Sequence, residues 1–112
     1  MAGTVVSSEE KQGAMVLRIQ GKLHLEELDP LRKRLQQVWR ARPRRLVLEF
    51  SECPFIDSAG LAILVGAYKH ACEANMGFFL VGVGEQFYNA LQVTRLHEVF
   101  KIRDSVEAAL AG

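Results

Sequence analysis

Two runs of this chain leave little room for water on either side. Leu46-Val47-Leu48-Glu49-Phe50 and Phe78-Phe79-Leu80-Val81-Gly82-Val83 are apolar at nearly every position. A strand with one wet face alternates apolar and polar side chains, whereas a strand covered on both faces does not. Between the runs, Leu61, Leu64, Val65, Tyr68, Ala71 and Cys72 recur at spacings of three and four, the pattern of a helix with an apolar stripe. Buried strand, helix, buried strand is a crossover unit with parallel pairing. The fold class is therefore α/β.

The flanking segments extend this pattern. Thr4 to Ser8 is β-branched and polar, an expected edge strand, and Glu9 to Gly13 reads as a turn. Ala14 to Gln20 alternates, with Met15, Leu17 and Ile19 on one side and Val16, Arg18 and Gln20 on the other. That predicts a half-buried strand, antiparallel to the first and stopped by Gly21. After a loop from Lys22, Asp29-Pro30 offers an N-cap and a Pro at the first helical position. Leu28, Leu31, Leu35, Val38 and Trp39 mark that helix's stripe, a start nearer Leu25 is the alternative to Asp29-Pro30, and Pro43 closes the region. The second helix is expected from Ala59 or Gly60 to Asn75, ended by Gly77. Gly84 opens a third, Glu85 to about Thr94, with Phe87, Ala90, Leu91 and Thr94 inward. Val99 to Ile102 reads as a last strand, and Asp104 with Glu107 resembles a capping box before a final helix. The expectation is one domain over residues 1–112, a mixed sheet of about five strands with about four helices packed on it.

A chain of 112 residues supports one core. The net charge of +1 gives no long-range pull towards nucleic acid or an anionic membrane. Arg40, Arg42, Arg44 and Arg45 nonetheless fall close together, as a basic helix end and solvated loop or as a surface for an acidic partner. Cys53 and Cys72 form neither a Cys-x-x-Cys pair nor a disulfide framework, which suggests a reducing compartment. Met1-Ala2-Gly3 leads into polar residues rather than an apolar leader, and no apolar run approaches a membrane span. The expected location is the cytoplasm, with no insertion into a membrane.

Enzyme signatures are missing from the sequence. His24, His70 and His97 lack metal-ligand spacing with either cysteine, there is neither a nucleophile elbow nor a phosphate loop, and no general base is evident for Ser58. The expectation is a non-enzymatic domain without a cofactor.

Pro54-Phe55-Ile56-Asp57-Ser58-Ala59-Gly60-Leu61 joins the first buried run to the helix. A helix start presents unpaired N–H groups and the positive end of the dipole. Ser58 there is either the N-cap or a hydroxyl that carries a phosphate; Asp57 is an alternative cap. Gly60 serves close approach by a partner or tight packing, while Ile56 and Leu61 belong to the core or its margin.

Phe55-Ile56-Asp57-Ser58-Ala59-Gly60-Leu61 resembles the signature of the STAS domain, in particular of the anti-sigma factor antagonists. The likeness runs from about Val16 to Leu110, through Gly21-Lys22-Leu23, the helix from Leu61 to Asn75, the strand Phe78 to Val83, Phe100-x-Ile102 and Asp104 to Leu110. It implies a cytoplasmic switch protein. Unphosphorylated, it would bind an anti-sigma factor and free the sigma factor. That partner, a serine kinase holding ATP and magnesium, would phosphorylate Ser58, and a serine phosphatase would reverse the step. The implied partner-binding residues are Leu23, His24, Ile56, Asp57, Ser58, Ala59, Gly60 and Leu61. One departure stands out: His24 follows Gly21-Lys22-Leu23 where antagonists commonly carry Asp, so an imidazole able to pair with phosphoserine, or simply exposed, replaces an acid. Glu49-Phe50-Ser51 likewise stands where Asp-Leu-Ser is frequent. The rival reading is a constitutive, unphosphorylated STAS subunit of a lipid-transport ATP-binding cassette complex or a stress-sensing assembly, which Ala59-Gly60-Leu61-Ala62 also suits.

Overall fold

The computed structural model describes residues 3–112. Among them, β1 (Val5–Lys11) and β2 (Ala14–Gln20) form a hairpin, followed by α1 (Asp29–Ala41), β3 (Arg45–Glu52), α2 (Ser58–Glu73), β4 (Gly77–Val81), α3 (Glu85–Val93), β5 (Lys101–Arg103) and α4 (Val106–Ala111). The strands lie in the order β1-β2-β3-β4-β5, with β1 antiparallel to β2 and the others parallel. This is the mixed sheet expected. Each crossover moves one strand in the same direction, so the right-handed rule puts α1, α2 and α3 on one face.

Register shows how the two faces are filled. Leu17, Leu48 and Leu80 align across β2, β3 and β4 beneath the three helices. Their side chains meet Leu31, Leu35, Leu64, Phe87 and Leu91 in the main core. Phe87 holds α3 down edge-on to Phe50, ring centroids 4.8 Å apart. One residue earlier, Val16, Val47 and Phe79 form the opposite row, buried with Val81 against Val106 and Ala109 of α4. The alternation read in β2 thus misses its second burial: Val16 is fully covered because α4 returns across the far face.

Several boundaries differ from the sequence reading. Glu9, Glu10 and Lys11 continue β1, because Gln12 and Gly13 alone make the hairpin turn, both with positive φ. The segment at Leu25–Glu27 is a 3₁₀ turn, and α1 starts only at Asp29, with Leu28 rather than Asp29 in the N-cap position. Asn75, with φ 57°, terminates the end of α2, and Gly77 instead begins β4. The last strand begins two residues late, since Leu96–Glu98 forms a 3₁₀ turn first. Ser105, not Asp104, caps α4 by accepting from the Ala108 N–H at 3.1 Å. A hydroxyl one residue closer wins because a cap must reach the N–H three residues on. No helix among the described residues is long and apolar enough to cross a membrane.

Candidate functional site

The carboxyl-terminal end of the sheet is where the loops after β2 and β3 meet. They are joined by backbone first. Leu23 and Ile56 form an isolated parallel bridge, the Leu23 N–H donates to Phe55 O at 3.0 Å, and the Asp57 N–H donates to Leu23 O at 3.1 Å. Leu23 is fully buried and Ile56 nearly so, which anchors both loops to the core. Gly60 is buried where the chain leaves the loop. A Cβ there would stand 2.6 Å from Ile56 Cγ1 and 2.8 Å from Leu23 O, closer than packed atoms allow. Of the two sequence readings of Gly60, tight packing is the one observed.

Asp57 completes the junction with both carboxylate oxygens. One accepts from the Gly60 N–H at 2.9 Å, and the other accepts from the Leu25 N–H at 3.0 Å. The first bond caps α2; the second fastens the β2–α1 loop to it. The Gly60 N–H lowers the Asp57 pKa most, opposed by partial desolvation and aided by the Leu25 and Ala59 N–H groups and by His24. Asp57 is thus an anion held between two loops.

Ser58 is not the cap. It is the first residue of α2 and is exposed, so its hydroxyl stands at the positive end of the helix without the capping duty that one sequence reading gave it. Asp57 wins that position because the capping residue must be extended, and Asp57 has φ −100°, ψ −177°. His24, Asp57, Ala59 and Leu61 are half-buried beside the serine. Leu23, Ile56 and Gly60, the other residues expected at a partner surface, are buried in the free chain and support the loop from inside.

Two exposed apolar residues beside this loop went unnoticed in the sequence. Leu25 is 69% exposed and Phe55 is 45% exposed, although both are large and apolar. The Asp57 carboxylate bonds the backbone of one and Leu23 the backbone of the other. Large apolar side chains left in water beside one another offer area that a partner could cover. The available signal was an apolar residue between His24 and Glu26, off the stripe of α1, and a Phe between Pro54 and Ile56 in the loop before α2.

Burial pushes the Cys53 thiol up, so it is a packed hydrophobe and not a nucleophile. Among the described residues no cluster of His, Cys, Asp or Glu could hold a metal ion. The arrangement suits recognition: an exposed hydroxyl on a rigid turn, two apolar anchors, and a fixed carboxylate.

Comparison with known proteins places this geometry. The STAS domain family model matches residues 6–109. An anti-sigma F factor antagonist of Paenibacillus polymyxa is 24% identical over 106 residues, covering 94% of this chain and 91% of that protein. The crystal structure of an anti-sigma factor antagonist from Mycobacterium paratuberculosis superposes with a TM-score of 0.86 at 24% identity, covering 97% of this chain and 92% of that one. The phosphorylated form of the Bacillus cell fate determinant SpoIIAA superposes with a TM-score of 0.72 at 16% identity, covering 93% and 96%. With the family model matched from β1 to α4, this chain belongs to the STAS domain family.

Proposed function

We propose that the chain is an anti-sigma factor antagonist switched at Ser58. The observation that carries this reading is the division of labour at the start of α2. Asp57 caps the helix, and Ser58 is left exposed beside it. A serine conserving the fold would be the cap; this one is free to be modified without dismantling the turn. The likeness to the Paenibacillus antagonist and to phosphorylated SpoIIAA supports the same reading.

In its unmodified state the chain docks Leu25, Phe55 and the Ser58 hydroxyl against an anti-sigma factor, and the sigma factor is released. The partner is itself a serine kinase. It holds ATP and magnesium and transfers the γ-phosphoryl group to Ser58 Oγ, while this chain only presents the acceptor and catalyses nothing. Phosphate brings close to two negative charges to a surface that already carries the Asp57 carboxylate. A partner closing over that loop must desolvate them. A loss of about 2.7 kcal/mol weakens binding roughly a hundredfold, and burial of an unpaired charge is large enough to do so. The helix N-terminus softens the effect within the domain. The switch therefore acts at the interface. A serine phosphatase resets it.

Titration calorimetry with the anti-sigma kinase tests the reading. Ser58→Ala should bind like wild type yet take no label from ATP. Ser58→Asp should bind about a hundredfold more weakly. Wild-type affinity in Ser58→Asp, together with ATP labelling that persists in Ser58→Ala, would overturn the proposal.

A further inference from the structure

The end of the sheet opposite Ser58 carries a second surface. There β3 begins at Arg45, β4 at Gly77 and β5 at Lys101, and α1 has just ended. Two hollows of about 500 and 370 Å³ flank the Pro43–Arg45 corner, the first on the α1–α2 side of the sheet and the second on the α4 side. Trp39, Arg42, His70 and Glu73 line the first, and Arg44, Arg45, Phe79 and Lys101 line the second. In the first, the Trp39 ring stacks on His70 with centroids 4.0 Å apart. In the second, Lys101 Nζ lies 5.7 Å from the centre of the Phe79 ring.

The fold alone does not explain this concentration of cations. The dipole of α1 accounts for Arg40 and Arg42. Arg44, Arg45 and Lys101 stand at or beside strand starts, where little dipole collects. Arg45 has a structural bond, donating from Nη1 to Leu110 O at 2.8 Å. Arg42, Arg44 and Lys101 are exposed, and none makes an ion pair among the described residues. Arg42 also occupies a left-handed position, φ 50°, where Gly or Asn would be easier.

We propose that this pole docks an acidic segment of a partner protein. Arg42, Arg44 and Lys101 hold its carboxylates, and an apolar side chain of the segment rests beside Trp39. The concavity favours a polypeptide over a flat bilayer. None of the exposed large apolar side chains, such as Val93 or Val99, lines either hollow, so nothing is poised to insert into lipid. Glu73 accepts a backbone N–H of the segment and repels the phosphates of nucleic acid or lipid. The net charge of +1 makes the attraction local to the pole. The length of β3 separates it from Ser58 by roughly 25 Å, so both surfaces can be occupied together.

Trp39 is the single tryptophan, and its emission reports the first hollow directly. The probe is a twelve-residue peptide of Glu and Asp with a central Leu, titrated at low salt. The expected result is a saturable change in Trp39 emission, a dissociation constant that rises with salt, and about tenfold weaker binding by the Arg42→Glu/Arg44→Glu/Lys101→Glu protein. The milder Arg42→Gln/Arg44→Gln protein should fall between, which removes dependence on the folding of the triple variant. Ser58→Asp should bind as wild type does. Equal affinity in the charge variants, or equal binding of the Gln/Asn version of the peptide, would overturn the proposal. Tighter binding of phosphatidylglycerol vesicles or duplex DNA than of the peptide would also overturn it, giving the pole to lipid or nucleic acid instead.

Discussion

One helix contains two glycines that a single substitution should drive in opposite directions. Gly60 lies in the first turn of α2, wedged against Ile56 and the Leu23 carbonyl, while a Cβ on Gly66 would meet nothing within 4 Å. Ala is favoured over Gly in a helix interior by about 1 kcal/mol, and that gain should appear in full at Gly66. At Gly60 the same gain is opposed. Leu23 O cannot retreat freely, because it accepts the Asp57 N–H, and Ile56 is buried. Forcing a methyl into a packed contact costs about 1–3 kcal/mol, and separations of 2.6 and 2.8 Å put this site at about 2–3, which leaves Gly60→Ala about 1–2 kcal/mol less stable than wild type. The two variants should then differ by roughly 10 °C in Tm for a domain of this size. Circular dichroism melts and urea midpoints on the three proteins measure it. A Gly60→Ala protein as stable as wild type would refute the packing argument, since the loop would have shown room the structure denies it.

Asp57→Ala removes the α2 cap and the bond to Leu25, and should cost about 1–2 kcal/mol in urea unfolding, whereas Ser58→Ala should stay within about 0.5 kcal/mol of wild type. If Ser58→Ala proves the more damaging, the capping assignment is wrong. The Asp57 pKa is lowered by folding, so its contribution is fully present above the unfolded carboxylate pKa and fades as pH falls through the folded value. The stability gap between wild type and Asp57→Asn should therefore be flat near neutrality and close in acid, and a gap that widens in acid would contradict the sign. In thiol titration with a disulfide reagent the native protein should react at Cys72 alone and the denatured protein at both cysteines, because Cys53 is buried. Phe55→Ala should leave Tm nearly unchanged yet weaken binding to the anti-sigma kinase about tenfold, as expected of an exposed anchor; unchanged affinity would place the interface elsewhere.

The architecture was legible because burial on both faces and helical periodicity leave few alternatives. Leu46 to Phe50 and Phe78 to Val83 demanded covered parallel strands, and the helices between them had one way to pack. What stayed hidden depended on contacts distant in sequence. Val16 looked like the wet side of a strand until α4, some ninety residues on, came to lie over it. The cap of α2 could not be assigned between Asp57 and Ser58, since both residue types cap well and only the backbone angle decides. Nor could spacing reveal that the second oxygen of Asp57 reaches across to the Leu25 N–H. Ile56 and Gly60, residues of the motif itself, are buried beneath the loop, which spacing alone does not show.

The central claim is that Ser58 is a switch rather than a structural hydroxyl. Its most direct test is affinity capture from the native lysate with wild-type and Ser58→Asp proteins, read by mass spectrometry. The account predicts that wild type retains a small ATP-binding serine kinase and that Ser58→Asp does not. Recovery of the same transporter ATPase or the same large STAS assembly by both proteins would contradict it, and would make this chain a constitutive subunit.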